Sequence, residues 1–254
     1  MKVVAVTQAR TGSSRFPGKI LKKVNKKTLL EIHIDRLKRS LLIDDIYIAT
    51  TNNPNDAAIE KIAEKNKLKY FKGSEDDVLD RFYKTLSYMR RQKPEYVIRV
   101  TSDCPLIDPC LIDEIISSAL ERNLDYYSNT MDEKYPDGQD IEIFRYEALE
   151  KAWFEATLKS DREHVTPYII RNSTYRGGNL FHSDNHFSNE NYNNVRMTVD
   201  EPNDLEVIKL LISNLGLNKK WQDYTEFYLN HEDIQKLNKG IERNQGYNLS
   251  IEKE

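Results

Sequence analysis

Val3-Val4-Ala5-Val6-Thr7-Gln8-Ala9-Arg10-Thr11-Gly12-Ser13-Ser14-Arg15-Phe16-Pro17-Gly18-Lys19 is the stretch that decides the fold. Its first five residues form an apolar run rich in β-branched side chains, which predicts a buried strand. The loop that follows combines Gly12 and Gly18 with Ser13, Ser14, Arg10, Arg15 and Lys19. Glycine lets backbone N–H groups approach oxygens, and Arg and Lys add fixed charge, so the mixture suits a polyanion. At the carboxyl end of the first strand of an α/β sheet, such a loop holds nucleotide phosphates. The competing reading is a basic surface turn, in which three close cations would repel one another without an anion. The spacing is neither a P-loop nor the dinucleotide glycine fingerprint, so nicotinamide redox chemistry is not expected.

Composition supports one large α/β domain with an appendage: 254 residues, of which 39% are apolar. A net charge of −3, from 38 basic and 41 acidic residues, argues against general nucleic-acid binding. Cys104 and Cys110 are too few for a disulfide framework or a structural zinc site, and read as small core residues in a reducing compartment. No apolar run approaches the ~20 residues of a membrane span. With a strand at the very start and no signal peptide read there, the expectation is a cytoplasmic protein with no membrane partner.

Strand and helix patterns alternate through the first half. Thr28 caps a helix running to about Ser40, with Leu30, Ile34, Leu37 and Leu41 on one face. A strand over 46–50 precedes a helix opened by Asn53-Pro54. Lys69-Tyr70-Phe71 is a short strand, and Ser74 caps the helix carrying Val78, Leu79, Phe82 and Leu86. A strand from Tyr96 to Val100 leads to a helix opened by Asp108-Pro109. Such β-α-β repetition predicts a mostly parallel sheet with helices on both faces. Further on, strands are expected at Tyr126–Ser128, Ile141–Phe144 and Val195–Val199, and helices near 146–156, 161–171 and from Pro202 to about Asn214. The run 173–195 is polar and irregular, and beyond Lys239 the chain reads as disordered or as lying on a partner subunit.

Two carboxylates stand out. Asp103 follows the strand ending at Val100, and Asp200 follows Val199 just before Glu201-Pro202 opens a helix. Each alone reads equally as a turn or cap residue. Together, each at a strand's carboxyl end, they can meet over one crevice, and two carboxylates with substrate phosphates make a Mg²⁺ site. Arg162 and His164 are candidates to touch an anionic acceptor, or simply part of a charged helix start. His182, His186 and His231 lie in polar stretches without ligand spacing, and His33 reads as core or interface.

The loop 8–19 resembles the N-terminal signature of cytidylyltransferases that activate 3-deoxy-manno-octulosonate and acylneuraminates. The chain to about residue 215 is most similar to the spore-coat polysaccharide branch of that family. The stretches that carry this likeness include Gly73-Ser74-Glu75-Asp76-Asp77-Val78-Leu79-Asp80-Arg81, Arg99-Val100-Thr101-Ser102-Asp103-Cys104-Pro105-Leu106, Tyr135-Pro136-Asp137-Gly138-Gln139-Asp140, Arg162-Glu163-His164-Val165-Thr166-Pro167-Tyr168 and Thr198-Val199-Asp200-Glu201-Pro202. The resemblance implies a Rossmann-like nucleotidyltransferase fold over 1–217, with a small dimerisation arm roughly at 130–195; the chain's own polar, helical pattern adds a C-terminal extension and tail over 218–254, which lacks a clear counterpart in the family. It implies CTP as donor, Mg²⁺, a small anionic acceptor and a homodimer. Arg10, Arg15 and Lys19, with Gly12, Ser13 and Ser14, would face the CTP phosphates, and Thr50, Thr51 and Arg81 the cytosine and ribose. Asp103 and Asp200 would hold Mg²⁺, with Lys19, Arg10 and Asp103 serving catalysis, and Asp137, Gln139, Arg162 and His164 would meet the acceptor. Thr11 departs from the pattern, since relatives often carry Met there. The expected function is transfer of CMP to a sugar-acid, phosphate or phosphonate acceptor with release of pyrophosphate, in cell-surface polysaccharide synthesis. Use of another nucleoside triphosphate, or nucleotide binding without catalysis, are the alternatives the residues leave open.

Overall fold

The structure is a computed structural model and describes residues 2–89 and 93–251; the end of the expected tail, 252–254, lies outside them. The strands are β1 (Val3–Gln8), β2 (Lys23–Val24), β3 (Lys27–Thr28), β4 (Asp45–Thr51), β5 (Lys69–Gly73), β6 (Tyr96–Thr101), β7 (Tyr126–Ser128), β8 (Glu142–Arg145) and β9 (Ser183–Asn185). The helices are α1 (Leu29–Leu37), α2 (Ala57–Lys65), α3 (Val78–Met89), α4 (Pro109–Glu121), α5 (Tyr146–Glu155), α6 (Lys159–His164), α7 (Pro167–Arg171), α8 (Pro202–Leu215), α9 (Trp221–Leu229), α10 (Glu232–Asn238) and α11 (Gln245–Ile251).

Seven strands form one sheet in the order β5-β4-β1-β6-β8-β7-β9, and β2 and β3 form a separate ribbon. Strand β1 lies between β4 and β6, parallel to both, while β8 runs antiparallel to β6 and β7. Val4 and Val6 of β1 pack with Phe82 and Leu86 of α3 on one face. Val3 and Ala5 pack with Ile112, Ile115 and Ile116 of α4 on the other. Burial on both faces is why the strand reads as a continuous apolar run.

The helix starts follow from their capping residues. Thr28 Oγ1 accepts from the Glu31 N–H at 3.1 Å while Glu31 accepts from the Thr28 N–H at 2.8 Å, a reciprocal capping box. Asp108 caps α4 by accepting from the Cys110 N–H at 2.8 Å, with Pro109 at the first helical position.

Several local expectations are corrected. Helix α1 stops at Leu37, and Leu41 is 90% exposed rather than on a buried face. Asn53-Pro54 opens one 3-10 turn before α2. Asp77, not Ser74, caps α3 by accepting from the Asp80 N–H at 2.9 Å, and Ser74 serves the turn before it. The helix expected over 161–171 is broken into α6 and α7 at Val165, whose φ is 75°. Pro167 has no N–H to offer and restricts the residue before it, so the helical ladder cannot run through. Val195–Val199 is not a strand; only Arg196 forms a bridge, to Asp137. Strand β9 instead lies in the polar run, paired in parallel with β7. Cys110 is exposed, while Cys104 is buried.

The C-terminal helices pack onto the body. Trp221 and Tyr224 are buried, and the buried Arg36 donates to the carbonyls of Ile107 at 2.5 Å, Leu217 at 2.7 Å and Lys219 at 3.1 Å. Residues 240–251 lie along this same chain rather than away from it, as Arg243, Asn244 and Gln245 bond residues of the body. No helix among the described residues is long and apolar enough to cross a membrane. Arg36→Ala should strip buried carbonyls of their donor and lower stability by about 3 kcal/mol in urea unfolding; an unchanged midpoint would show that Arg36 does not fasten the C-terminal helices.

Candidate active site

The site begins at the carboxyl rim of the sheet. Strand β6 ends at Thr101, which sets Asp103 just beyond the rim. The Asp103 carbonyl accepts from the Val199 N–H at 2.9 Å and from the Thr198 hydroxyl at 3.3 Å. These bonds pull the segment before α8 against the end of β6 and bring Asp200 beside Asp103. Buried His33 holds the other side: Nδ1 donates to the Cys104 carbonyl at 2.9 Å, leaving Nε2 to accept from the Thr7 hydroxyl at 3.0 Å. Burial holds His33 down to about 4, so it is neutral and structural.

The two acids share one ammonium. Lys19 Nζ donates to Asp103 Oδ2 at 2.8 Å and to Asp200 Oδ1 at 2.8 Å. Arg15 reaches Asp200 Oδ1 at 3.1 Å. Arg196 reaches Asp200 Oδ2 at 2.8 Å, and also Asp137 at 2.5 Å and Asp204 at 2.9 Å. Burial by itself would raise the Asp103 carboxyl, but the neighbouring Lys19 charge prevails and holds it down to about 2. For Lys19, burial lowers and the two carboxylates raise, and the carboxylates prevail. Both groups therefore stay charged through neutral pH.

Two cavities meet at this cluster. The first, about 350 Å³, is lined by Gln8, Arg10, Ser13, Ser14, Arg15, Lys19, Glu75 and Arg81 among others. The second, about 480 Å³, is lined by Arg99, Thr130, Asp137, Asp140, Glu142 and Arg176 among others. Arg15, Thr101, Asp103, His164 and Asp200 line both.

The structure gathers some of the residues expected at the site and not others. Arg10 faces the first cavity and pairs with Glu75 at 3.1 Å, and Gly12 lies against the same Glu75 carboxylate. Arg81 is buried there, donating to the Ser74 carbonyl at 2.5 Å. Burial and nearby Arg10 hold its guanidinium down to about 10. Asp137 and His164 line the second cavity. His164 is held down to about 4 by burial and by Arg99, so its ring is neutral. Thr50 and Thr51 are in neither wall: Thr51 donates to Asp56 at 2.5 Å, and alternation along β4 turns Thr50 with Ile48 toward Leu30 and Ile34. Arg162 is locked by two bonds from its Nε and Nη2 to Asp77 Oδ2, at 3.0 and 2.7 Å, and by one to the Trp153 carbonyl. Gln139 spends its amide on the Asp108 N–H and the Leu106 carbonyl, both at 2.9 Å, and so braces the loop before α4.

Sequence reading missed Arg196, Arg176, Arg99 with Glu142, and Arg243 with Asp140. Arg196 had a signal: a lone cation inside the apolar run Val195-Arg196-Met197-Thr198-Val199 requires buried acids around it. Arg243 had none, because its partners, the Tyr135 carbonyl at 3.0 Å and Asp140 at 2.5 Å, are set by tertiary packing. Beyond it, Gln245 accepts from Arg15 at 3.2 Å, and Ser250 Oγ lies 2.7 Å from His164 Nε2.

A mostly parallel sheet with a cationic first loop facing two acids at its carboxyl rim defines an α/β protein of the nucleotidyltransferase type. Comparison with known proteins narrows this. The cytidylyltransferase family profile matches residues 4–245, and the chain belongs to that family. It is 34% identical over 95% of its length to the uncharacterised protein MJ1063 of Methanocaldococcus jannaschii, covering 96% of that protein. It is 31% identical to the spore coat polysaccharide biosynthesis protein SpsF of Bacillus subtilis, covering 84% of this chain and 88% of that one. The solved structure of a cytidylyltransferase from Leptospira borgpetersenii superposes with a TM-score of 0.86 at 30% identity, over 96% of this chain and 100% of that one.

The shared ammonium has a pH signature. Asp103, depressed to about 2 from 3.8, adds stability that is full above its unfolded value and is lost as pH falls through about 2. Lys19, raised from 10.5, adds stability that is full below that value and is lost as pH rises past its folded value. In Lys19→Met only the Thr101 and backbone hydrogen bonds oppose burial, so the Asp103 carboxyl rises toward its unfolded value and the acid loss of stability in urea titrations should shrink. An acid limb unchanged from wild type would show that Lys19 does not hold Asp103 down.

Proposed function

We propose that this chain transfers CMP from CTP to a small anionic acceptor, with release of pyrophosphate, in the synthesis of a cell-surface polysaccharide. The observation that carries this is the meeting of two cavities at Asp103, Asp200 and Arg15, with the loop cations on one side. CTP occupies the first cavity. The acceptor occupies the second, and its oxygen attacks the α-phosphorus from the shared wall. A new P–O bond forms, the bond between the α-phosphorus and the bridging oxygen breaks, and pyrophosphate takes the electron pair.

Arg10, Arg15 and Lys19 supply the positive charge that a triphosphate and its departing pyrophosphate require. Lys19 already sits between two carboxylates, so phosphate oxygens entering the cavity compete with Asp103 and Asp200 for its ammonium. The freed acids offer an all-oxygen donor set, and phosphate oxygens complete what a Mg²⁺ ion needs. Asp103 and Asp200 would hold that ion, which supplies charge neutralisation at the phosphates. Among the described residues no cluster of three or more His, Cys, Asp or Glu would hold a metal without a ligand's oxygens. Asp137, with Arg196 beside it, and the neutral His164 ring shape the acceptor cavity. SpsF of Bacillus subtilis is named for spore coat polysaccharide biosynthesis, which supports the pathway class.

Asp103→Asn should lower pyrophosphate release by two or more orders of magnitude, with the fold intact by circular dichroism. The assay is CTP in magnesium buffer against a panel of sugar acids, phosphates and phosphonates. Near-normal turnover in the variant would remove Asp103 from the mechanism.

A further inference from the structure

The first cavity contains a side-chain oxygen, that of Gln8, which nothing among the described residues satisfies. Gln8 is the last residue of β1, held between Ala49 of β4 and Thr101 of β6. It points to the same face of the sheet as Val4 and Val6, toward α3, and lines the cavity beside Ala9, Val78 and Arg81. Its Oε1 is buried without a hydrogen-bond partner. The Nε nitrogen of Arg81, in the same wall, is also buried and unpartnered. Buried carbonyl oxygens without a donor are rare, because each costs about 1–3 kcal/mol. An orphan beside a loop built for phosphates is an acceptor reserved for a bound ligand.

The chemistry of Gln8 sorts the parts of a nucleotide. Phosphate oxygens at neutral pH carry no hydrogen to donate to Oε1. The loop cations, not a neutral amide, suit that end. The exocyclic 4-amine of cytosine does donate, and it lies beside the ring N3, which accepts. A side-chain amide presents an acceptor and a donor side by side, as this edge requires. Ala9 and Val78 are 3% and 6% exposed and give the ring an apolar flank.

We infer that Gln8 is a base-reading residue, its Oε1 accepting from the 4-amine of cytosine at the end of β1. This rests on the proposal that CTP is the donor, and the test separates the two. Gln8→Leu keeps the shape and removes the orphan oxygen. Binding of CTP and of its 4-deamino analogue, with a pyrimidin-2-one base, is measured for wild type and variant by titration calorimetry in magnesium buffer, alongside the melting temperature without ligand.

Wild type should bind CTP about tenfold more tightly than the analogue, and the variant should bind the two alike, with CTP about tenfold weaker than in wild type. The unliganded variant should melt at or above the wild-type temperature, since a buried carbonyl without a donor has been removed. If the variant loses CTP and the analogue by one common factor, Gln8 touches the ribose or merely shapes the wall, and the inference falls. Unchanged CTP binding in the variant also overturns it. If wild type binds no CTP, the donor assignment itself fails and takes this inference with it.

Discussion

One ammonium between two carboxylates organises this molecule. Asp103 and Asp200 come from chain segments far apart in sequence, and neither acid is tolerable beside the other without a cation. Lys19 supplies it, and Arg196 supplies a second on the far side of Asp200. The arrangement fixes the relative position of the first loop, the end of β6 and the start of α8. It also makes the loop responsive to anions, because any phosphate entering must share Lys19 with the acids. A cation held by two acids at rest is one that can be redistributed without being desolvated afresh.

The backbone makes this possible. Parallel strands β1 and β6 end side by side, so the loops after them emerge at one rim. The Val199 N–H bond to the Asp103 carbonyl then adds a third segment to the rim without extending the sheet. His33 and Gln139 brace this rim from within: their polar atoms bond backbone groups or the Thr7 hydroxyl. They serve geometry rather than chemistry, which is why Gln139 sits in a family-like motif yet lines neither cavity.

What was legible in the sequence follows from range. Strand β1 and its loop, the capping box at Thr28, the Asp108-Pro109 start of α4 and the Pro202 start of α8 are local signals, and each is present. Pairing of Asp103 with Asp200 was legible because both follow an apolar, strand-like run and stand two residues before a proline, although only the first run is a strand. Illegible were features decided at a distance. The run 195–199 has strand-like alternation, but its backbone is taken up by Asp103 and Asp137, so no ladder forms. Strand β9 is polar and exists because β7 offers it an edge. The resemblance sets Thr50 near the cytosine and ribose, and only the fold shows that β4 presents it on the face of Ile48, away from both cavities. Arg162 sits in a motif that reads as ligand-facing, but Asp77 claims it.

The path of residues 243–250 has a consequence for how the molecule matures. The first cavity is walled by segments up to residue 200, so it can close once the sheet has α8 docked on it. The neighbouring cavity also takes Asn244, Gln245 and Tyr247 into its wall, more than forty positions later. During synthesis on a ribosome the two halves of the crevice therefore become complete at different times. The first cavity is finished first, and a nascent chain passes through an interval in which one cavity is walled and the other is not.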